Sequence, residues 1–468
     1  MSREAPSLLS RIRDRDHTQG SLLKSILALA IPAILASLGA FGTFQIIELV
    51  LIGRLGPEAV AAAGATNQTL RQAIFLVVIG LSTSSQMLIA RRVGEGDVSY
   101  AERIAGQTLL AGVTLGLLAA VAGHLFAAPL VALVVQDAAV ASLGVVYVEV
   151  AFVFLFLTIF VQLASGILGG AGDGTTPMLV GFLVTPLALL GQWALAFGHL
   201  GLPELGMQGI PLGAALGGAA GVTVLTIVLA RGTSRLHLRR HHLRPDWPIL
   251  AEVLRSAWQP SLHLLARTTI VFFFMFIAGR LGGSVQAAYT IGLRVEMLPI
   301  MVAFPVANAC ATLVGQNLGA GRLDRAWQAI RATFALQAIL LWPMSAFIYF
   351  QRSEIVGIFG DDPQVSEMAA EYLGYSSVVL CFYGFYFTAF RALQAAGDMM
   401  SPMLISVTVA LLLGVPLGWG LSSYTELGAT GMWIANLVYA LVNCTLMVGW
   451  LLRGHWAQRH QMEGAGPL

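Results

Sequence analysis

The chain has 468 residues, of which 57% are hydrophobic and only 11% charged, and its mean hydropathy is +0.78. Soluble domains carry about 25% charged residues, so this composition excludes an ordinary soluble protein. The formal net charge of +2 is uninformative by itself, and we expect no nucleic-acid partner. Three isolated cysteines, with no CxxC motif among them, read as buried thiols rather than a disulfide framework or a cofactor site.

Apolar runs fill nearly the whole chain, and a helix needs roughly 20 such residues to cross a bilayer. Glycine, proline and polar residues separate these runs. The predicted spans lie near residues 24–53, 59–92, 99–127, 139–169, 176–200, 207–231, 249–281, 285–318, 323–351, 365–396, 401–424 and 428–453. The sequence therefore predicts an all-α polytopic membrane protein with twelve transmembrane helices.

The distribution of basic residues predicts the orientation of these spans. With the N-terminus inside, twenty of the 26 lysines and arginines fall on the cytosolic side, whereas only Arg54, Arg280 and Arg352 fall outside. This asymmetry follows the positive-inside rule and predicts a plasma-membrane protein, in bacteria an inner-membrane protein, with both termini cytosolic. The expected parts are a tail at 1–23, a first lobe at 24–231, a linker at 232–248, a second lobe at 249–453 and a tail at 454–468.

The linker is rich in arginine and carries His237, His241 and His242. Three histidines can suggest a metal site. We favour the interpretation that this is a solvated basic linker near anionic lipid headgroups, because like-charged runs are usually solvated. Membrane lipids are accordingly expected partners, and no metal is expected.

The two halves of the chain repeat each other. The motif GRLG at 53–56 recurs at 279–282, and AGD with PM at 171–178 recurs 225 residues later at 396–403. Tyr147 and Tyr372 keep the same offset of 225. Each half has six spans, so both halves enter the membrane from the same side. Parallel repeats of this kind are one symmetry class of secondary transporters, with the binding region expected between the halves.

Two features inside the spans concern packing and bending. Gly213, Gly217 and Gly221 place small residues every fourth position along the sixth span, which lets helix backbones approach closely. Pro32 and Pro260 occupy equivalent places early in the first and seventh spans. These prolines can act as bending points, although proline is also simply tolerated in membrane helices.

The motifs together resemble those of the multidrug and toxic-compound extrusion (MATE) family, from about residue 26 to residue 453. The segments that carry the resemblance are IGRLGPEAVAAAG at 52–64, GGAGDGTTPM at 169–178, TLVGQNLGAGRLDRA at 312–326 and AAGDMMSPM at 395–403. The resemblance implies a cation-coupled antiporter that exports amphipathic, often cationic, drugs or metabolites while protons or sodium ions enter. It also implies two six-helix lobes that form a V-shaped pair and alternate in access.

Glu48 is the first candidate for cation coupling. An ionisable group within a span is costly and therefore suggests a function, and the family usually has an acid in this region of the first span. Arg71 in the second span is a possible ion-pair partner of Glu48, or merely ties spans together. Tyr147 and Gln192 complete this candidate site. We favour protons over sodium, because the fifth span shows Gln192 and neutral neighbours where the family often has further oxygen ligands.

The second half supplies the candidates for a substrate cavity, namely Arg267, Glu296, Tyr383 and Tyr386. Arg267 lies close to the place where one branch of the family has a glutamate. Glu296 can attract a cationic substrate or form a fixed ion pair with Arg267. Aromatic faces attract organic cations, and the two tyrosine hydroxyls need hydrogen-bond partners. We expect a monomer that binds small organic cations.

Two other classes of function are alternatives to antiport. A lipid-linked oligosaccharide flippase of related architecture is kept open by Arg71, Arg267 and Arg294. An integral membrane enzyme is not favoured, because the chain shows no HExxH and no GxSxG motif.

Overall fold

The computed structural model describes residues 17–232, 234–360 and 362–457, and within them every regular element is helical. The first six spans contain the helices Leu22–Leu35 and Thr43–Arg54, Pro57–Thr66 and Gln72–Glu95, Val98–Ala132, Ala138–Val153 and Leu155–Ala171, Thr175–Phe197, and Gly209–Arg231. The last six spans contain Trp247–Leu281, Gly283–Gly319, Leu323–Phe350, Pro363–Ala395, Met400–Val409 and Val415–Ser423, and Gly428–Leu452. We refer to these as the first to twelfth spans.

The prediction of twelve spans is confirmed. In the described residues, eleven helices are long and apolar enough to cross a membrane, and the fourth span is a pair of helices bent by 49° at Phe154. Three spans contain a π-helical segment, at Ala36–Gly42, Asn67–Arg71 and Ala410–Gly414. Such π segments interrupt the regular backbone hydrogen bonds and are frequent at functional sites.

The repeated sequence motifs form the same turns in both halves. The fourth span ends at Gly172 with φ 93°, and the tenth ends beside Gly397 with φ 87°, a backbone conformation that favours glycine. The aspartate that follows then accepts backbone N–H groups of the next helix: Asp173 from Thr175 and Thr176, and Asp398 from Ser401. The repeat at an offset of 225 is therefore a repeat of helix ends and caps.

The chain folds as two compact units, which we call unit 1 (residues 31–261) and unit 2 (residues 17–30 with 262–457). Each unit boundary falls inside a helix, and the predicted lobes, which are divided at the linker, stay a prediction. Pro32 lies just after the first boundary and Pro260 just before the second. Both predicted bending points thus mark the places where a span passes from one unit to the other.

Unit 1 brings the fifth and sixth spans together at their glycines. A Cβ atom on Gly213 would lie 2.0 Å from the backbone nitrogen of Gln192, and one on Gly217 would lie 2.6 Å from the carbonyl oxygen of Val184. Gly191 in turn faces Gly213. The predicted small-residue stripe is therefore a helix-packing face, and it fixes the height of Gln192 in the fifth span.

Unit 2 holds the N-terminal residues 17–30 by contacts with the ninth span. Arg322 donates to the carbonyl oxygen of Thr18 at 2.7 Å, and Arg325 donates to that of Gly20 at 2.9 Å. The core of this unit packs aromatic residues of the eighth, tenth and twelfth spans, with Tyr289, Tyr372 and Trp433 almost completely buried.

The basic linker is docked on unit 1 through hydrogen bonds, while most of its side chains, including Arg239, Arg240 and Arg244, are exposed. Gln107 on the third span donates to the carbonyl oxygens of His242 (2.9 Å) and Arg244 (2.7 Å) and accepts from the Asp246 N–H (3.0 Å). Glu102 accepts from the His237 N–H at 2.8 Å. The linker lies so close to Gly106 that a Cβ there would be 2.3 Å from the His242 carbonyl oxygen. In the described residues no three histidine, cysteine or acidic side chains cluster as a metal site.

The docked linker has an expected pH dependence. Burial lowers the pKa of His242 below its usual range, His241 adds to this effect, and Glu102 opposes it. The undocked linker therefore binds a proton more readily than the docked one, so docking is strongest above about pH 6.5 and weakens as the pH falls below that value. Hydrogen exchange of residues 234–246, corrected for intrinsic rates, is expected to accelerate between about pH 7.5 and about pH 5.5. In His242→Gln the corrected exchange is expected to be the same at both pH values, and equal protection of the unaltered chain at both would refute the assignment.

Candidate functional site

The four residues predicted for cation coupling all lie in unit 1 and come together there. Glu48 sits in the helix Thr43–Arg54, directly after the π-helical segment of the first span. Gln192 of the fifth span, fully buried, donates from Nε2 to Glu48 Oε1 at 3.0 Å. Because Gln192 is positioned by the close contact of Gly213 with its backbone, the packing of two spans determines where this hydrogen bond forms.

Arg71 and Tyr147 complete this cluster. Arg71 ends the π-helical segment Asn67–Arg71 of the second span, and its charge acts on both Glu48 and Tyr147. Among the described residues no ion pair within 4.0 Å joins Arg71 to Glu48. The guanidinium lies over the ring of Phe75, 5.2 Å from its centre. The two charges are therefore neighbours without a direct contact.

Asn67 belongs to the same cluster and was missed at the level of sequence. Its Nδ2 donates to the Tyr147 hydroxyl at 2.9 Å. Two amide oxygens here, Asn67 Oδ1 and Gln192 Oε1, are buried without a hydrogen-bond partner among the described residues. In the sequence, Asn67 is only a short polar residue four positions before Arg71. Its role in the cluster follows from the π-helical segment Asn67–Arg71, which the sequence did not predict.

The four residues predicted for the substrate cavity lie near one another in unit 2, where the charge of Arg267 acts on Glu296, Tyr383 and Tyr386. Arg267 lies over two rings, 4.9 Å from the centre of Phe387 and 5.9 Å from that of Tyr383. No ion pair within 4.0 Å joins it to Glu296 in the part of the chain that the structure describes. Glu296 is buried and accepts from the Tyr372 hydroxyl at 2.6 Å. The fixed ion pair that was one of the two alternatives is thus not formed.

Tyr386 is the centre of a buried polar chain that sequence reasoning did not find. His263 Nε2 and the Tyr386 hydroxyl are 2.9 Å apart, and the His263 ring stacks on Phe390. From Tyr386 the chain continues through Ser406 to Asn443, each step spanning 3.4 Å. The sequence shows His263 only as a lone histidine in an apolar run. The other members of this polar chain lie far along the sequence, on the tenth, eleventh and twelfth spans, so they could not be predicted. Tyr386 is buried, so its predicted contact with a substrate stays a prediction.

The two clusters define an integral membrane protein that places ionisable groups within its spans, as transporters do. A family model described as MatE matches residues 32–193 and 261–419. The chain belongs to the MatE family.

Similar proteins cover nearly the whole chain. It is 25% identical over 440 residues to a probable multidrug resistance protein NorM of Thermotoga maritima, covering 93% of both chains. It is 29% identical over 428 residues to a protein of the same description from Deinococcus radiodurans, covering 88% of this chain and 91% of that one.

Solved structures show the same fold at low sequence identity. A structure of MATE in the bent conformation matches with a TM-score of 0.88 at 20% identity, covering 98% of this chain and 100% of that one. A structure of an outward-facing multidrug resistance MATE family transporter matches with a TM-score of 0.86 at 20% identity, covering 97% and 99%. The predicted fold class and family are thereby confirmed.

Proposed function

We propose that this chain is a secondary antiporter of the inner membrane that exports amphipathic, often cationic, drugs or metabolites in exchange for protons. Both termini face the cytosol in this proposal, in agreement with the positive-inside distribution of arginine. The relatives described as multidrug resistance proteins support the substrate class. The observation that carries the proposal is the Glu48 carboxyl, held by Gln192 and lying near Arg71 without an ion pair.

The geometry around Glu48 suits a group that alternates between two charge states. The neutral amide of Gln192 fixes one carboxyl oxygen in either state. Arg71 lies close enough to attract the carboxylate but makes no contact that would lock it. When Glu48 loses its proton, its negative charge can be shared between Arg71 and an arriving organic cation, so proton release and substrate binding become linked.

Sodium is the alternative coupling ion, and one observation favours it. The unpartnered amide oxygens of Asn67 and Gln192 lie in the same cluster as Glu48, and hard cations prefer oxygen ligands. Glu48 itself accepts from the N–H donor of Gln192 and lies near the Arg71 guanidinium, and both of these groups repel a metal cation. We therefore retain protons as the coupling ion and include sodium in the tests.

The proposed function is tested by substrate-induced dissipation of a pH gradient in everted membrane vesicles. Vesicles containing the protein are energised to an acidic interior, and fluorescent organic cations are added one at a time. The expected result is that at least one of them collapses the gradient faster than in vesicles without the protein. If none of a broad panel of cations does so, while a lipid-linked phosphate is translocated, the chain is a flippase, and Arg267, which lies over the Phe387 ring, would then bind the phosphate.

A prediction on alternating access concerns the two prolines at the unit boundaries. In Pro32→Ala with Pro260→Ala, the backbone hydrogen bonds that proline interrupts are restored and both helices become stiffer. Exchange is expected to slow on the order of tenfold, because conformational steps limit turnover, whereas the affinity for a fluorescent cation is unchanged. Pro343→Ala in the ninth span, away from both boundaries, is the control and is expected to leave the rate unaltered. An unchanged rate in the double variant would show that these prolines are merely tolerated.

A further inference from the structure

Unit 2 contains a buried acid of its own, at a place that the first half of the chain fills with a base. Glu296 lies in the eighth span and is 5% exposed. The hydroxyl of Tyr372 donates to its Oε1 at 2.6 Å. The rings of Tyr289, Tyr372 and Trp433 pack against each other around this bond, with centres 4.8 to 6.0 Å apart. The carboxyl is thus enclosed by aromatic side chains rather than by water.

The internal repeat relates this arrangement to the cluster around Glu48. At the offset of 225 residues, Tyr372 is equivalent to Tyr147 and Glu296 is equivalent to Arg71. In unit 1 the tyrosine stands beside an arginine of the second span, with the acid on the first span. In unit 2 the equivalent tyrosine stands beside an acid of the eighth span, with the arginine, Arg267, on the seventh. Each cluster therefore has an acid, an arginine and an equivalent tyrosine. The acid of unit 2 occupies the position of the arginine of unit 1, whereas Glu48 and Arg267 lie on equivalent spans at positions that are not equivalent.

The charges that face Glu296 leave it without a contact counter-ion. Arg267 on the seventh span, Tyr289 on its own span, and Tyr372 with Tyr383 on the tenth span are the titratable groups that act on it. No ion pair within 4.0 Å joins Glu296 to a described residue. A buried carboxylate whose hydrogen-bond donors are neutral hydroxyls, with no paired cation, is costly. A proton on the carboxyl removes that cost.

The indole of Trp433 adds an independent observation. Its Nε1 is buried and has no hydrogen-bond partner among the described residues. Buried donors in native structures are nearly always satisfied. The aromatic cluster around Glu296 therefore contains an unused N–H donor, on the indole that packs against Tyr372.

We propose that Glu296 and Tyr372 form a second proton-binding site, located in unit 2. A proton from water on one side of the membrane forms an O–H bond with the carboxylate, and that bond is broken to water on the other side. Coupled to export, this site adds one proton per cycle to the one carried by Glu48. That last statement rests on the proposed proton antiport, whereas the proton site itself does not.

The proton site is tested by infrared difference spectroscopy of the purified full-length chain in lipid nanodiscs, without any substrate. The protonated Glu296 carboxyl is expected to give an infrared band that disappears when the pH is raised. This band is expected in the unaltered protein and in Glu48→Gln, and it is expected to be missing in Glu296→Gln. In Tyr372→Phe, which retains the acid, the band is expected to persist at a shifted frequency because its hydrogen-bond partner is gone. Glu371→Gln is the matched control, since Glu371 is the neighbouring acid and bonds instead to Thr430 at 2.7 Å.

Identical spectra for Glu296→Gln and the unaltered protein would overturn the proposal, provided that Tyr372→Phe also leaves every carboxyl band in place. The contribution of Glu296 to coupling is measured in proteoliposomes as the number of protons moved per substrate molecule. This number follows from the pH gradient at which a known substrate gradient produces no net movement. Glu296→Gln is expected to retain exchange with one proton fewer per substrate. An unchanged proton count would refute its part in coupling, whereas the absence of any proton exchange in the unaltered protein would refute the antiport and leave the spectroscopic result to decide the site.

Discussion

Replacing Glu48 by glutamine is expected to reduce proton-driven export to the level of liposomes without protein. Glutamine keeps the shape of the side chain and can still accept from Gln192, whose Nε2 lies 3.0 Å from Glu48 Oε1. It cannot bind and release a proton, so the link between proton entry and substrate exit is lost. The measurement is dissipation of a pH gradient by a fluorescent cation in proteoliposomes.

The control for this variant is Glu204→Gln, which changes an acid in the exposed connection between the fifth and sixth spans. It is expected to export at the unaltered rate. Equilibrium binding of the fluorescent cation measures folding and substrate affinity separately from coupling. Export by Glu48→Gln at the rate of the control would remove Glu48 from the mechanism.

Replacing Gly213 by alanine is expected to have the largest effect on stability of any single methyl added to unit 1. The new Cβ would lie 2.0 Å from the backbone nitrogen of Gln192 and 2.4 Å from its Cα. Backbone atoms of a packed helix cannot move aside as a side-chain tip can, so the fifth and sixth spans must separate. Overpacking costs about 1–3 kcal/mol and occasionally more, and we expect the upper end of that range. The midpoint of thermal unfolding in detergent is the measurement.

Gly449→Ala is the matched control for Gly213→Ala. Gly449 lies within the helix Gly428–Leu452, and a Cβ there meets nothing within 4 Å. Its substitution is expected to leave the unfolding midpoint unchanged or to raise it slightly, because alanine favours a helix over glycine. Equal midpoints for the two variants would contradict the close approach of the fifth and sixth spans. Gly213→Ala is also expected to weaken proton coupling, since it displaces Gln192 from Glu48.

The fold could be predicted from the sequence because its signals are local. Apolar runs of the required length gave twelve spans, and the motif around Asp173 recurs around Asp398 because both aspartates cap the next helix. The broken fourth span escaped prediction, since the run from Ala138 to Ala171 is apolar on both sides of Phe154. Hydropathy measures how apolar a segment is and not the direction of its helix axis, so it cannot predict a bend of 49°.

Features that depend on distant partners could not be predicted. Docking of the linker depends on Gln107, which lies 135 residues before His242. The first and seventh spans each begin in one unit and end in the other. The equivalent prolines Pro32 and Pro260 predicted a bend in these spans, but not that the unit boundary falls there. Among the site residues, Glu48 and Gln192 were predicted and are in contact. The offset of 225 residues makes Glu296 equivalent to Arg71 and Tyr372 equivalent to Tyr147. It does not reveal that Glu296 and Tyr372 are joined by a hydrogen bond.

Proton-coupled export is distinguished from sodium-coupled export by driving the transporter with one gradient at a time. Proteoliposomes loaded with a fluorescent cation are given either a pH gradient at equal sodium concentrations or a sodium gradient at clamped pH. The pH gradient alone is expected to drive substrate movement, and the sodium gradient alone is not. Movement driven by sodium at clamped pH, with none driven by the pH gradient, would contradict proton coupling and assign the unpartnered amide oxygens of Asn67 and Gln192 to a sodium site.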